Sequence, residues 1–305
     1  MEKRYLLVVL VLLVVFISGC NDDPVSIGAF VGGSDGVDIS FVEGAPLNEF
    51  TQGQEIPVSV LLKNNGEDDI AENLAEVQLY GLPFDEYGLD DNYKKVEGQI
   101  RGIKKDFLEE GGEQVVSMGT LKYNREVSGF TDKQLFARVC YPYKTKAVVT
   151  SCATSKNIDI VEETSVCDVE GEKIISGGVS SGPIQVTSFT EQLSGSSSVS
   201  FKLVIANSGI GDVYAFDSVC SSLSDPVTLA AKKEMVKLTV SPSDINCNFV
   251  SGESNVGFVK VGIEPKNVIC TMNIDGSSSY ERDIDIELDY KYVEDTSVNI
   301  KILEA

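Results

Sequence analysis

Cysteine and acidic residues are the side chains of this 305-residue chain whose number and spacing could do chemistry. The chain has seven cysteines and 47 Asp and Glu residues, but no histidine. Ser-His-Asp and Cys-His catalysis both need an imidazole that changes protonation near neutral pH, so these mechanisms are excluded. A glycosidase pair of carboxylates is compatible with the composition, but sugars usually stack on aromatic platforms and Trp is absent. The sequence therefore predicts a protein that is not an enzyme.

Metal binding by cysteine is also disfavoured. Zinc sites use close ligand pairs, whereas the nearest two cysteines are separated by eleven residues. Calcium prefers six to eight oxygen ligands, and acidic turns can supply them. No cofactor is expected, and calcium is the one ion for which we name candidates, although acidic turns are more often simply solvated. The candidate ligands are Asp85, Glu86, Asp90 and Asp91, with a second set at Glu67, Asp68 and Asp69.

The net charge of -22 restricts the partners of the chain. Such a charge repels nucleic acid phosphates and anionic headgroups, and no basic cluster interrupts it. We therefore expect no nucleic-acid partner and interpret the acidity as a means of staying soluble at a crowded surface.

The N-terminus combines a charged start, the apolar run Tyr5 to Ile17 and the tetrad Ile17-Ser18-Gly19-Cys20. The 13-residue run suits a signal peptide and is shorter than the roughly 20 residues that span a bilayer. This segment resembles a lipoprotein signal peptide, which implies that Cys20 is lipidated and becomes the new N-terminus. The alternative is an uncleaved membrane helix. Both interpretations predict an extracytoplasmic, membrane-anchored location for residues 21–305, with Asn21 to Gly36 as a flexible tether.

Six cysteines then remain as disulfide candidates in an exported protein: Cys140, Cys152, Cys167, Cys220, Cys247 and Cys270. The first two flank a predicted hairpin around Lys144-Thr145-Lys146, so we predict that they pair. The last two lie in adjacent strand-like segments and are the next expected pair. The middle two would then join the start of a second domain to its third strand. Four cysteines allow three connectivities, however, so this part stays open, and free buried thiols are the alternative to disulfides.

Short alternating segments with Gly, Asn and Ser at the breaks predict an all-β fold. The clearest strand is Glu55 to Lys63, which places four apolar residues on one face and ends at the turn Asn64-Asn65-Gly66. A second segment, Val199 to Ile205, alternates in the same way and ends at Asn207-Ser208-Gly209.

Tyrosine pairs strengthen this internal repeat. Tyr141 and Tyr143 correspond to Tyr290 and Tyr292, and we interpret the rings as packing residues whose hydroxyls reach backbone groups. Each pair should end a penultimate strand, and the final strands are predicted at Lys156 to Val161 and Val298 to Leu303. The offset of about 143 to 149 residues indicates a domain duplication, because solenoid repeats are about 20 to 50 residues long. Lys144 and Lys146 are interpreted as edge-strand protection.

The repeated strand and its N-x-G or N-N-G turn resemble the immunoglobulin-like modules of the CARDB and S-layer-associated type in archaeal and bacterial cell-surface proteins. The resemblance implies two tandem β-sandwiches that act as spacers, adhesive units or platforms. Two insertions are predicted at Leu82 to Gly112 and Asp217 to Asn248, with short helical segments expected within Tyr93 to Glu110 and Thr228 to Lys237. The predicted divisions are a signal peptide, a lipidated cysteine with tether, the first sandwich, a linker and the second sandwich, at 1–19, 20–36, 37–163, 164–182 and 183–305.

Three hypotheses for function follow. The first is a lipid-anchored surface protein that contacts itself or other envelope proteins as a structural or adhesive component. The second is a lipoprotein subunit of a secretion, transport or filament complex. The third is a calcium-dependent ligand-binding module.

Overall fold

The computed structural model describes residues 28–153, 167–195, 197–223, 225–274 and 280–305. The predicted signal peptide, Cys20 and the predicted strand Lys156 to Val161 lie outside these residues. No helix of the described ranges has the length and apolarity needed to cross a membrane.

The fold is all-β and sandwich-like. The first half contains the strands β1 (Val37–Phe41), β2 (Glu49–Thr51), β3 (Glu55–Asn64), β4 (Glu76–Tyr80), β5 (Tyr93–Lys95), β6 (Glu113–Lys122) and β7 (Phe130–Ala153). The second half contains β8 (Gly171–Glu172), β9 (Ile184–Leu193), β10 (Ser198–Asn207), β11 (Asp212–Ala215), β12 (Met235–Ser241), β13 (Asn246–Cys247), β14 (Ser251–Gly252), β15 (Val256–Lys260), β16 (Lys266–Asn273) and β17 (Tyr280–Leu303). Short helices are α1 (Pro226–Lys232) and the 3-10 turns Phe84–Tyr87, Lys105–Phe107 and Cys220–Ser222.

The strands form three sheets, and all strand pairs except one are antiparallel in the described chain. One sheet has the order β1-β3-β6, and a second has the order β13-β16-β10-β9-β8. The third has the order β14-β15-β12-β17-β7-β4-β5, with β11 and β2 also paired to β17. The exception is the parallel pair of β2 with β17. The first two sheets lie in separate halves of the sequence, whereas the third crosses both.

Alternation of apolar and polar residues explains β3 and β10. The alternating apolar residues of β3 are fully buried, and those in the matching part of β10 are at most about 1% exposed. Most of the residues between them are more exposed. A strand places successive side chains on opposite faces, so this pattern fixes which face enters the core. These two strands are confirmed. In the second insertion the predicted helical stretch Thr228 to Lys237 is confirmed in part, because α1 ends at Lys232 and β12 begins at Met235. In the first insertion, the predicted helix between Tyr93 and Glu110 is instead β5 and a single 3-10 turn.

The strands β7 and β17 dominate the architecture. Each has 24 residues, and they pair antiparallel along their whole length, from Phe130 with Leu303 to Ala153 with Tyr280. The predicted hairpin around Lys144-Thr145-Lys146 is therefore wrong. That stretch contains no Gly, Asn or Pro to make a turn, and its alternate residues face the core, so the strand continues.

The long pair connects the two halves. The N-terminal part of β7 pairs with β4, and the N-terminal part of β17 pairs with β12. The end of β17, predicted to be a separate last strand at Val298 to Leu303, lies beside Phe130 to Leu135 and β2 of the first half. Ile300 and Ile302 are buried there. The predicted domain bounds thus cross a continuous sheet.

The structure has three disulfides: Cys140–Cys220, Cys152–Cys167 and Cys247–Cys270. The last joins β13 to β16 as predicted. The predicted pairs Cys140–Cys152 and Cys167–Cys220 are wrong. A strand rises about 3.3 Å per residue, so residues 140 and 152 of one extended strand lie roughly 40 Å apart, far beyond disulfide reach.

Candidate functional site

One concavity of the described chain lies where the turn after β3, the 3-10 turn Lys105–Phe107 and the middle of β7 meet. It encloses about 330 Å³, and Phe30 of the N-terminal segment forms part of its wall. We call it the lysine cleft, because it is lined by four lysines together with four acidic residues: Lys104, Lys105, Lys144 and Lys146, with Glu67, Asp68, Asp69 and Asp106. The second set of predicted calcium ligands therefore lies in a site that lysines share.

A buried asparagine positions the acidic side of the cleft. Asn64, the last residue of β3, is fully buried, and its Oδ1 accepts hydrogen bonds from Gly66 N and the Tyr143 hydroxyl, both at 3.1 Å. Its Nδ2 donates to Asp68 O at 2.7 Å. The Tyr143 hydroxyl in turn accepts from Asp68 N at 3.3 Å. The turn is thus fixed to β7, and the three acidic residues that follow project from a rigid base.

The same bonds recur in the second half. Asn207, the last residue of β10, accepts at Oδ1 from Gly209 N at 3.2 Å and from the Tyr292 hydroxyl at 3.0 Å. Its Nδ2 donates to Gly211 O at 2.9 Å, and the Tyr292 hydroxyl accepts from Gly211 N at 2.8 Å. The two turns are built on one plan.

The other tyrosine of each pair binds the start of β1 in the first half and the start of β9 in the second. The Tyr141 hydroxyl accepts from Val37 N at 3.1 Å, and the Tyr290 hydroxyl accepts from Ile184 N at 3.3 Å. Burial raises the pKa of both tyrosines well above its usual value, so the hydroxyls stay protonated. All four repeated tyrosines are buried, and they have the packing role that their recurrence predicts.

Glu67 binds two other segments of the chain. Its Oε1 accepts from Val31 N at 2.9 Å, and its Oε2 accepts from Gly32 N at 3.0 Å and Ser181 N at 2.7 Å. Carboxylate bonds to backbone N–H groups are charge-assisted and stronger than neutral ones. One side chain therefore joins the N-terminal segment and the segment before β9 to the first turn.

Asp68 is the acidic residue of the cleft with the most perturbed ionisation. Burial raises the pKa of its carboxyl to about 6, against the opposing effects of the Lys144 backbone N–H and the nearby Lys146. Desolvation favours the neutral acid, and the lysines only partly offset it. Asp68 consequently changes charge at mildly acidic pH.

Asp69 has the opposite behaviour. Its Oδ1 accepts from Gly102 N at 2.7 Å and forms an ion pair with Lys104 Nζ at 2.9 Å. Partial burial opposes its ionisation, but these two hydrogen bonds outweigh burial and lower the pKa of Asp69. The carboxylate is held ionised by protein donors.

The lysines on β7 are bound to its neighbours. Lys144 Nζ lies 3.0 Å from Glu287 and 3.2 Å from Asp289 on β17. On the other side, the Lys146 carbonyl accepts from Ser180 N at 2.8 Å. The strand is covered on both sides here, so the interpretation of these lysines as edge-strand protection is wrong.

The N-terminal segment forms the remaining wall. Lys105 Nζ donates to Gly28 O at 2.6 Å and to Phe30 O at 2.8 Å, and Phe30 N donates to Gly177 O at 2.9 Å. Residues 28–36, predicted to belong to a flexible tether, are therefore bound to the protein. The hydrogen bonds come from distant residues, and no local sequence signal indicates them.

The first set of predicted calcium ligands does not converge. Asp85, Glu86, Asp90 and Asp91 lie around the 3-10 turn Phe84–Tyr87, but Glu86 pairs with Arg125 at 3.4 Å and Asp91 pairs with Lys94 at 2.7 Å. The described residues contain no group of three or more acidic or cysteine side chains that could hold a metal ion.

A buried carboxylate outside the cleft escaped the sequence analysis. Glu191 of β9 is 1% exposed and accepts hydrogen bonds from the Ser151 hydroxyl and from Cys152 N, the latter at 3.1 Å. Lys173 Nζ lies 3.7 Å away. Burial raises the pKa of Glu191. The side chain ties the end of β7 to the second half beside the Cys152–Cys167 disulfide.

No protein-family model and no curated protein matches the chain. Among solved structures, it is similar to Escherichia coli alpha-2-macroglobulin activated by porcine elastase, with a TM-score of 0.16 and 7% identity over 88% of this chain. The chain spans 33% of that protein. It is also similar to the collagen adhesin of S. aureus, with a TM-score of 0.11 and 11% identity over 92% of this chain and 96% of the other. TM-scores this low carry no argument about function.

The hydrogen bonds of the lysine cleft hold separate segments of the chain together. Glu67, Asp69 and Lys105 are engaged by the protein itself, and the N-terminal segment fills one side. The cleft therefore fixes the position of residues 28–32.

Proposed function

We propose that this protein is a lipid-anchored component of the cell surface that acts through contacts with itself or with other envelope proteins. The observation that carries the proposal is that six of the seven cysteines pair with one another and Cys20 does not belong to these pairs. All six cysteines after residue 20 are joined in disulfides, which leaves Cys20 as the one thiol outside a bridge, directly behind a signal-like apolar run. Disulfides persist in oxidising compartments, which is compatible with export.

The proposed architecture is a pair of tandem immunoglobulin-like sandwiches of the CARDB and S-layer-associated type. Support comes from the repeated asparagine turn and tyrosine bonds in the two halves. The long β7–β17 pair would hold the two sandwiches in a fixed relation, which suits a spacer or platform. We propose no enzymatic activity, because the chain has no histidine and the cleft residues serve attachment.

The anchor is tested by replacing Cys20 with serine in the natural host. The wild-type chain should lose about 19 residues, gain lipid mass and sediment with membranes, whereas Cys20→Ser should remain unprocessed or lose the lipid. Ser18→Ala, which keeps a small residue before the cleavage point, is the matched control and should be processed normally. Normal lipid-dependent membrane retention of Cys20→Ser would contradict the proposal.

A second candidate is a subunit docked on one envelope partner. It is favoured by two isoleucines, Ile210 and Ile263, which are 92% and 99% exposed and line one depression beside the second turn. A photocrosslinking residue at position 210 in intact cells distinguishes the candidates. Links between copies of this chain would support a self-assembling layer or adhesive unit, and links to one different protein would support the accessory subunit. The same photocrosslinking residue in place of Lys202, at an exposed position on β10, is the control.

A further inference from the structure

The loop that contains the 3-10 turn Lys105–Phe107, beside the lysine cleft, has two adjacent apolar side chains exposed at its end. Its base is closed by reciprocal bonds, with Lys104 N donating to Glu109 O and Glu109 N donating to Lys104 O, both at 3.2 Å. At its end, Phe107 is 75% exposed and Leu108 is 92% exposed. We call these two residues the apolar tip. Adjacent exposed apolar residues at the end of a closed loop are unusual on a strongly acidic protein.

The backbone presents Leu108 in an unfavourable conformation. Its φ is 51°, in the left-handed region that glycine adopts readily and branched or bulky residues avoid. A leucine kept in such a conformation and fully exposed does not serve the core. Strained display of this kind is a sign of a contact outside the molecule.

The tip lies next to the N-terminal segment of the described chain. Lys105, within the same 3-10 turn, binds the carbonyls of Gly28 and Phe30, and Phe30 and Phe107 line the same cleft. Gly28 is only eight positions after Cys20. Since an extended chain spans at most about 3.5 Å per residue, a lipid on Cys20 lies within about 28 Å of Gly28. The anchor therefore keeps the tip close to the bilayer.

The charges around the tip balance. Residues 101–110 contain three basic and three acidic side chains, so their formal sum is zero. The strong overall negative charge would repel an anionic surface, whereas a neutral tip is free to approach a zwitterionic one. Attraction must then come from apolar burial instead of lipid charge.

We propose that Phe107 and Leu108 insert into the interface of the membrane that carries the lipid anchor and so form a second membrane contact. The inference rests on the proposed anchoring. Burial of the two side chains would favour the inserted over the free tip by about 100-fold. Alone, this contact is too weak to recruit the protein from solution, but the anchor raises the effective concentration of the bilayer. The contact fixes the orientation of the body on the membrane, because stable anchoring commonly takes two signals.

The absence of tryptophan provides a clean probe. The mature chain beginning at Cys20, with the substitution Phe107→Trp, is coupled through the Cys20 thiol to a maleimide lipid in phosphatidylcholine vesicles. The indole emission should shift to the blue on coupling and be quenched by brominated phosphatidylcholine. Neither signal should depend on salt. The matched control, Ile263→Trp, places the probe at an exposed apolar position of the second half and should show no shift and no quenching.

A second variant separates loss of membrane contact from loss of folding. Leu108→Gly relieves the left-handed backbone and should fold at least as well, yet in the Phe107→Trp background it should lower the ratio of inserted to free tip, calculated from the quenching, by about tenfold. Equal quenching at positions 107 and 263, or none at 107, overturns the inference. Blue-shifted emission of the Phe107→Trp chain before coupling also overturns it, because the protein's own chain would then cover the tip. The chemical coupling does not depend on natural lipidation, so failure of the Cys20→Ser experiment and failure of this one are distinguishable.

Discussion

The two turns that follow β3 and β10 share one framework and differ in what they carry. In both, an asparagine binds a glycine N–H, a tyrosine hydroxyl and a carbonyl. The residue after the glycine is Glu67 in the first turn and Ile210 in the second. Glu67 binds the backbone of two other segments, whereas Ile210 is 92% exposed. The hydrogen bonds of the asparagine and the tyrosine are the same in both turns. The residue after the glycine differs, since Glu67 binds other segments of the chain and Ile210 is left at the surface.

A carboxyl group with a raised pKa lies beside each of the two turns. In the first half it belongs to the turn itself, and in the second half it belongs to a strand. In the first half it is Asp68, within the turn. In the second half the corresponding residue is Gly211, and Glu294 of β17 reaches the space that a side chain at position 211 would fill. Burial raises the pKa of Glu294 to about 7, aided by neighbouring acidic residues that include Asp38 and Asp295. The similar environment is thus produced by different strands.

The largest expected loss of stability comes from a variant that tests whether the two halves fold as separate units. Ile302→Ala, near the chain's end, removes a fully buried side chain that lies beside Phe50 of the first half. We expect a loss of about 2–5 kcal/mol in the free energy of unfolding, since a cavity forms in the core. Hydrogen exchange should show lost protection in β2 and at Phe130 to Leu135. Asn299→Ala, at an exposed position of the same strand, should change little, and damage confined to residues after 183 would contradict the shared sheet.

The next effect compares the two framework asparagines. Asn64→Ala and Asn207→Ala each leave a tyrosine hydroxyl, a glycine N–H and a carbonyl without their partner. We expect losses of about 3 kcal/mol for Asn64 and about 1.5 kcal/mol for Asn207, because Asn64 is fully buried whereas Asn207 is partly exposed. Chemical denaturation measures both, with Asn65→Ala as a less buried control. Equal losses would mean that burial does not separate the two turns.

These comparisons also explain what the sequence could predict. Alternation located β3 and β10, and the repeated asparagines and tyrosines located the framework, because these signals are local or recur within the chain. The long strands were interrupted in the prediction, since the lysines at 144 and 146 look like turn residues when their pairing with β17 is unknown. Pairing of Cys140 with Cys220 and docking of the N-terminal segment on Glu67 depend on contacts between distant residues, which periodicity does not encode.

The third prediction concerns the attachment made by Glu67. Glu67→Gln keeps the shape of the side chain but removes the charge that strengthens three backbone bonds, and we expect a loss of about 1–2 kcal/mol. Protease cleavage near Val31 should become faster as the segment detaches. The matched change Ile210→Gln in the second turn should stay within about 0.5 kcal/mol. Similar effects at both positions would remove the difference between the turns.

The smallest expected effect is a pH dependence. Because the pKa of Asp68 is raised to about 6 in the folded protein and is lower when unfolded, the folded state binds the proton more tightly. The group therefore favours folding below its unfolded pKa, and this contribution is lost as pH rises through the folded value.

Asp68→Asn mimics the protonated side chain and keeps an acceptor for the Lys144 N–H. Its melting temperature should match the wild type near pH 4 and exceed it by a few degrees above pH 6. Thr145→Ser, at the β7 position that corresponds to Glu294, carries no charge and should give a difference that does not vary with pH. A pH-independent difference for Asp68→Asn would mean that its carboxyl is not desolvated, and the two halves would then differ in their ionisation as well as in their contacts.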